Sequence, residues 1–315
     1  MIQKETILVL GAGASRDFGY PLGDELRLQI WDDLRGHPRS LLYERLRKCG
    51  FGEVDIGAFC EELGRAQTAS VDEFLGQRPE FQDVGKCAMA AVLIAREREE
   101  ALLHAGARSN WYGLLLDELR HSPDSFGSPR LSIVTFNYDR ALEHYLYCAI
   151  RSYYGLSDVE AGEALRRQRV MHIYGKLMPL PYQCPGGRPY AVDWDPATIR
   201  GSAKSIRTMA DARAAVEPVP AVAELMRTAK VICFLGFGYH DHNLRLLGLD
   251  RLEEDAQFYC AAWGMTELEK HDLSQRLSRL SPAPGRGGRH PAFGADNWTI
   301  AQCLRNFPAL LQVDG

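Results

Sequence analysis

The stretch Thr6-Ile7-Leu8-Val9-Leu10-Gly11-Ala12-Gly13-Ala14-Ser15-Arg16-Asp17-Phe18-Gly19-Tyr20-Pro21 decides the fold. A short apolar run that ends in two glycines one residue apart reads as a buried parallel strand delivered into a tight turn, with a helix start behind it. Gly11 can take backbone angles closed to other residues, and Gly13 has no side chain to block a close approach. The spacing therefore predicts backbone N–H groups facing an anion, such as a pyrophosphate, at a positive helix terminus. The ordinary dinucleotide fingerprint wants a third glycine where this chain has Arg16, and an acidic residue about 20 positions further on at the end of a second strand. Asp32 and Asp33 lie instead in a helical pattern. On spacing alone the turn is either a nucleotide cradle or a tight strand-to-helix connection with no ligand.

The 315 residues, 46% hydrophobic and 25% charged, suffice for one large α/β domain or two smaller ones. A formal net charge of -4 gives no general electrostatic reason for direct nucleic-acid binding, which is not expected. The eight cysteines are scattered with no C-x-x-C pair and read as reduced core residues. The first residues carry no secretory pattern, and the longest apolar run, Cys87 to Ala95, is far short of the ~20 residues that span a membrane. A cytoplasmic protein without a membrane segment is expected.

Working outward, Leu22, Leu26, Ile30 and Leu34 have helical spacing, and Leu41 to Cys49 and Ile56 to Leu63 repeat it. Ser70-Val71-Asp72-Glu73 is a capping box that starts a further helix. A long helix is expected from Val84 to Leu103, its charged end Arg96-Glu97-Arg98-Glu99-Glu100 reading as a solvated face, and another over Trp111 to Leu119. The region from about 22 to 120 is thus a helical layer or insertion. Strand signals return at Leu131 to Phe136, Val170 to Gly175 and Val231 to Gly238, and Gln257 to Trp263 is expected to be the last. Met178 to Val219, rich in proline and glycine, reads as a long irregular excursion, and Ser281 to Arg289 as a mobile linker.

Strands that end in polar residues before a helix place them at the carboxyl edge of a parallel sheet, where open α/β folds hold ligands. The set so placed is Ser15, Asp17, Asn137, Asp139, His172, Tyr174 and the loop from Gly236 to Asn243. Asn137 can hold a water or a ribose hydroxyl through its amide, or simply cap the helix that begins at Arg140. Asp139 stabilises that helix start without any ligand. His172 and Tyr174, two apart, would share one face of a strand as an acid/base pair. His240-Asp241-His242 lacks a cysteine or Glu-x-x-His partner, so no metal is expected. The P-loop and the Gly-x-Ser-x-Gly elbow are both missing from the sequence.

Gly11-Ala12-Gly13-Ala14-Ser15 followed by Gly19 and Pro21, then Ser70 to Leu75, Thr135 to Asp139, His172 to Gly175 and Phe234 to Gly238, resemble in order and spacing the sirtuin-like domains of bacterial anti-phage defence proteins. The resemblance runs to about residue 250. It implies an α/β, Rossmann-like parallel sheet with a helical insertion or layer. The implied organisation is an NAD-binding domain over 1–265, containing the helical region, and a C-terminal helical or irregular extension over 266–315. It further implies an NAD glycohydrolase that consumes NAD as substrate, releasing nicotinamide and ADP-ribose and depleting the infected cell. Such an enzyme needs control by a regulatory partner protein or by homo-oligomerisation. On this resemblance Gly11, Ala12, Gly13, Ala14, Ser15, Asp17 and Phe18, with Gly236, Gly238 and Asn243, hold the dinucleotide. Asn137 positions a water or ribose hydroxyl beside Asp139. The histidine that the family places immediately before the glycine is Tyr174 here, with His172 two residues earlier, which makes the catalytic set Asn137, Asp139, His172 and Tyr174. A tyrosine, with a pKa near 10, is a poor base at neutral pH. The zinc ribbon of deacylating sirtuins has no cysteine pairs to build it. The alternative is a non-hydrolysing module that binds NAD, ADP-ribose or another nucleotide and signals to a partner.

Overall fold

The computed structural model of the chain describes residues 2–36, 40–104, 110–120, 122, 124, 126–208, 211, 219–252, 256–280 and 290–307. The apolar runs become strands β1 (Thr6–Leu10), β2 (Leu131–Thr135), β3 (Arg169–His172), β4 (Val231–Leu235) and β5 (Gln257–Cys260), with a short sixth, β6 (Ala292–Phe293). β1, β2 and β4 are buried at every position, which is why they read as continuous rather than alternating apolar runs. All neighbours pair in parallel, in the order β3-β2-β1-β4-β5-β6. This is a Rossmann-like α/β sheet, and its strand order reverses between β1 and β4, where such sheets open a ligand crevice at the carboxyl ends. Leu10 lies in register with Thr135 on one side and Leu235 on the other, so three chain segments leave the sheet at one level.

Between β1 and β2 the chain is helical: α1 (Gly23–Gly36), α2 (Leu41–Lys48), α3 (Glu53–Ala66), α4 (Val71–Gln77), α5 (Gln82–Ile94), α6 (Glu99–Leu103) and α7 (Trp111–Leu119). Then come α8 (Ala141–Tyr154), α9 (Asp158–Arg166), α10 (Pro196–Ser205), α11 (Pro220–Arg227), α12 (Asp241–Leu247), α13 (Glu267–Leu280) and α14 (Ile300–Asn306). The Ser70 hydroxyl caps α4 by accepting from Glu73 N, while the Glu73 carboxylate reaches back to Ala69 N, one residue beyond a standard box. Among the described residues, no helix is long and apolar enough to cross a membrane.

Four expectations change. The single helix over Val84 to Leu103 is two, because the chain turns after Ile94 and drives Glu97 inward. Glu97 is buried with its side chain wholly covered, so the charged stretch around it is not simply a solvated face. The excursion from Met178 to Val219 contains α10, started by Asp195 accepting from Ala197 N and Thr198 N with Pro196 in the first turn. α10 packs on α5, so this segment braces the helical layer. Gln257 to Trp263 is strand only to Cys260, and β6 follows it on the sheet edge, so the expected extension over 266–315 supplies a strand as well as helices. The expected linker Ser281 to Arg289 lies outside the described residues.

Glu97 accepts from Arg140 Nε and Nη2 at 3.0 and 2.8 Å and from Arg188 Nη2 at 2.7 Å, with both arginines buried. Removing one partner of such a pair leaves uncompensated charge in the core. Glu97→Ala is expected to cost roughly 3–5 kcal/mol, read as a lowered urea midpoint; a loss within about 1 kcal/mol, as for surface pairs, would contradict this role.

Candidate functional site

At the β1/β4 crevice the two glycine loops meet backbone to backbone. Gly11 N donates to Leu235 O at 3.1 Å, Gly13 N to Gly236 O at 3.0 Å, and Ala14 N to Gly11 O at 2.9 Å. A Cβ on Gly11 would lie 2.5 Å from Gly236 O, one on Gly13 2.8 Å from Gly236 Cα, and one on Gly236, whose φ is +57°, 2.2 Å from Ala14 N. The N–H groups of Gly11 and Gly13 therefore join the two loops, and that of Ala14 closes the first loop on itself, instead of facing an anion. The glycines are required by this approach. The segment that follows is a 3-10 helix, Ala12–Phe18, ended by Gly19 in the left-handed region, and α1 begins only at Gly23.

Other loop residues divide between core and rim. Phe18 is buried and stacked on Tyr112, with ring centroids 3.8 Å apart and planes 7° from parallel, so it belongs to the core rather than to a ligand-facing surface. Ala14 is buried and its carbonyl accepts from Trp111 Nε1 at 2.8 Å. Ala12 is half-buried, and Asp17 and Gly238 are exposed at the rim. Ser15 is buried and faces inward, where it meets β2.

Asn137, directly after β2, does not cap α8. Its Nδ2 donates to Ser15 Oγ at 3.1 Å, and its own N–H donates to Thr135 Oγ1, so it ties the ends of β1 and β2 together. Asp139 takes the helix-start role: Oδ1 accepts from Ala141 N at 3.0 Å. Burial raises its carboxyl above the usual range, against the opposing pull of Ser15, Ala141 and His172.

β3 ends at His172, and Ile173 and Tyr174 lie in a turn, so His172 and Tyr174 are not a pair on one strand face. Each has its own partners. His172 Nδ1 lies 2.9 Å from Asn137 O, and Nε2 lies 3.0 Å from Glu143 Oε1 on α8. Both ring nitrogens are thus engaged by protein groups, which leaves neither open to a substrate or water as a general base. Burial alone would raise the Glu143 carboxyl, but His172 and Lys176 Nζ, the latter at 2.8 Å, hold it well below the usual carboxylate range. His172 thus positions the Asn137 main chain. The Tyr174 hydroxyl donates to Asn243 Oδ1 at 2.6 Å, joining two of the expected site residues across the crevice.

Several contributors escape a sequence reading: Tyr112 and Trp111 behind the β1 loop, Glu143 and Lys176 around His172, and Asp72 from α4. Asp72 hydrogen-bonds the Tyr138 hydroxyl, which also lies 3.1 Å from Arg207 O. One hydroxyl proton cannot serve two acceptors; a protonated Asp72 donates to Tyr138 and frees Tyr138 to donate to Arg207. Consistently, burial pushes Asp72 up to about 6, although Tyr138 and Lys86 oppose it. The Ser70-Val71-Asp72-Glu73 box marked the helix start, but nothing local indicated that Asp72 reaches the sheet edge.

Two expected outcomes follow from this geometry. Below the ordinary Asp72 value of 3.8 both states are protonated, and from there to about 6 the folded protein holds a proton that the unfolded chain has released. Stability should therefore fall as pH rises through that window, and Asp72→Asn should remove this component, as measured by urea unfolding of both proteins from pH 3.5 to 7 (about the range set by linkage). An identical pH slope in the variant would refute it. Gly236→Ala should lower stability by at least ~2 kcal/mol, since it combines left-handed strain with overpacking. Gly19→Ala, strained at φ +88° but with no atom within 4 Å of its Cβ, should cost less; equal costs would show that the loop approach is not what requires glycine.

Neither a protein-family model nor a curated protein matches this chain, so its functional reading rests on the geometry of this crevice.

Proposed function

We propose that the crevice over β1, β2 and β4 binds NAD and that the protein cleaves it to nicotinamide and ADP-ribose, depleting NAD in the cytoplasm of a phage-infected cell. The observation that carries this reading is Asn137. Its amide is fixed at the end of a central strand, beside Ser15 and next to the buried Asp139 carboxyl, without being consumed as a helix cap. Nicotinamide leaves as a neutral group from a cationic nitrogen and needs little acid help. An amide that orients a water or the ribose hydroxyls, with a modest base, is sufficient. Asp139, its affinity for protons raised by burial, suits the base role better than His172, which supports Asn137 from behind. Tyr174 and Asn243 border the opposite side, where they suit a sugar or the nicotinamide amide.

The engagement of His172 by Asn137 O and Glu143 and of the Tyr174 hydroxyl by Asn243 favours a second reading, a module that binds NAD, ADP-ribose or another nucleotide and signals to a partner without turnover. An NAD-cleaving enzyme that is always active would kill its host. The first reading therefore requires a regulatory partner or self-association, for which the helical layer from α1 to α7 offers a surface.

The deciding measurement is NAD loss and nicotinamide release in cells expressing the protein, with and without phage challenge. Under the first reading Asn137→Ala should reduce nicotinamide release roughly 100-fold or more, as losing a positioned hydrogen-bonding group does. Protection from phage with unchanged NAD in the wild type would sink hydrolysis and support the binding module.

A further inference from the structure

Helix α8 carries a second polar cluster that the crevice does not use. His144 and Cys148, four residues apart, share one helix face, and Glu99 at the start of α6 comes against it. His144 Nε2 lies 2.8 Å from Glu99 Oε1 and 3.4 Å from Cys148 Sγ, and the three donor atoms all lie within 4.8 Å of one another.

A cysteine, a histidine and a carboxylate together suggest two chemistries, and the geometry separates them. In a nucleophilic triad the base uses one ring nitrogen for the nucleophile and the other for the orienting acid. Here Cys148 and Glu99 address the same nitrogen, Nε2, so no relay passes through the ring. Convergence of three donors on one point is instead the pattern of a metal centre.

We propose that Glu99, His144 and Cys148 form a site for a divalent ion of the zinc class, held by one oxygen, one nitrogen and one sulfur. A tetrahedral ion with bonds of roughly 2.0–2.3 Å spaces its donors roughly 3.3–3.7 Å apart. The nitrogen-to-sulfur distance already fits, and the nitrogen-to-oxygen distance needs only a small opening. Glu99, with half its side chain exposed, can supply that movement, while His144 is held in place. Its ring stacks on Tyr190, with centroids 4.1 Å apart and planes 14° from parallel, and the Tyr190 hydroxyl is in turn bonded to that of Tyr20 at 2.8 Å. Mixed imidazole, thiolate and carboxylate donors suit zinc and its neighbours and do not suit magnesium or calcium, which take oxygen ligands. Glu99 and His144 also line a cleft of about 590 Å³ walled by Tyr147, Tyr182 and Tyr190. The fourth position would open on that cleft, the arrangement of a site that exchanges a water or an anionic ligand rather than a closed structural one.

The site is independent of the NAD reading and is tested without any activity. Protein stripped with a chelator is titrated with Co2+ and then Zn2+, followed by absorption. One equivalent of Co2+ should give visible bands of tetrahedral intensity and a near-ultraviolet thiolate-to-metal charge-transfer band, both erased by Zn2+. Cys148→Ser should abolish the charge-transfer band, whereas Cys184→Ser, a thiol on the same cleft, should keep it. Glu99→Gln, a half-exposed position that leaves folding undisturbed, should weaken Zn2+ uptake by more than the roughly 10–100-fold that loss of a supporting residue costs. Circular dichroism confirms the fold of each variant. Folded wild type that takes up no equivalent, a charge-transfer band that survives Cys148→Ser, or undiminished uptake by Glu99→Gln would each overturn the assignment.

Discussion

Two peptide loops that touch without side chains between them govern the rest of the structure. Gly11 and Gly13 after β1 lie against Gly236 after β4, so closely that a methyl group at any of the three would overlap main-chain atoms. Gly11 N and Gly13 N are satisfied by the carbonyls of Leu235 and Gly236, as buried peptide groups must be, so the two loops are joined backbone to backbone. That contact fixes where Ser15 stands. Trp111 and Phe18, the latter through its stack on Tyr112, hold the loop from behind, and Ser15 then receives the Asn137 amide.

The turn after β2 is built the same way, one anchor to a residue. Asn137 goes to Ser15, Tyr138 to Asp72, Asp139 to the start of α8, and Arg140 to Glu97. Four successive side chains thus report to four different parts of the chain. A backbone held at each position cannot slide or rotate as a unit, and this is how a loop can present an amide with the precision that a strand interior has. Two of the four anchors, Asp72 and Glu97, come from the helical layer. That layer does more than cover the sheet: it sets the orientation of the crevice residues.

The parts of this architecture legible from sequence are those encoded by local periodicity and turn chemistry. β1, β2 and β4 announce themselves because strands covered on both faces are continuous apolar runs, α1 to α3 because their apolar spacing is helical, and α4 because Ser70-Val71-Asp72-Glu73 reads as a capping box. Glu97 is illegible for the opposite reason: its neighbours are charged, and a charged run gives no sign of the one member that turns inward to meet an arginine 43 residues later. α10 was hidden by its own start signal, since Asp195-Pro196 counts as loop composition until the aspartate is seen capping the helix. β6 has two residues and no run to detect. Of the site residues, Asn137 and Asp139 are legible because they end a clear strand, while the separate fates of His172 and Tyr174 depend on where β3 stops, and strand ends are the least determined feature of a sequence.

Adjacent positions on α8 then explain how one helix serves two polar clusters. Successive helical side chains diverge by about 100°, so Glu143 reaches back to His172 beneath the crevice while His144 meets Glu99 and Cys148 beside the tyrosine-lined cleft. Tyr190 belongs to both environments: its ring lies on His144, and its hydroxyl meets Tyr20, whose own proton is held by burial and by the nearby Asp139. Because Arg140, at the start of α8, is locked to Glu97, neither cluster can be reshaped by a simple shift of α8 along its axis. Coupling between cleft and crevice, where it exists, therefore has to run through charge and hydrogen bonding at fixed positions rather than through helix movement.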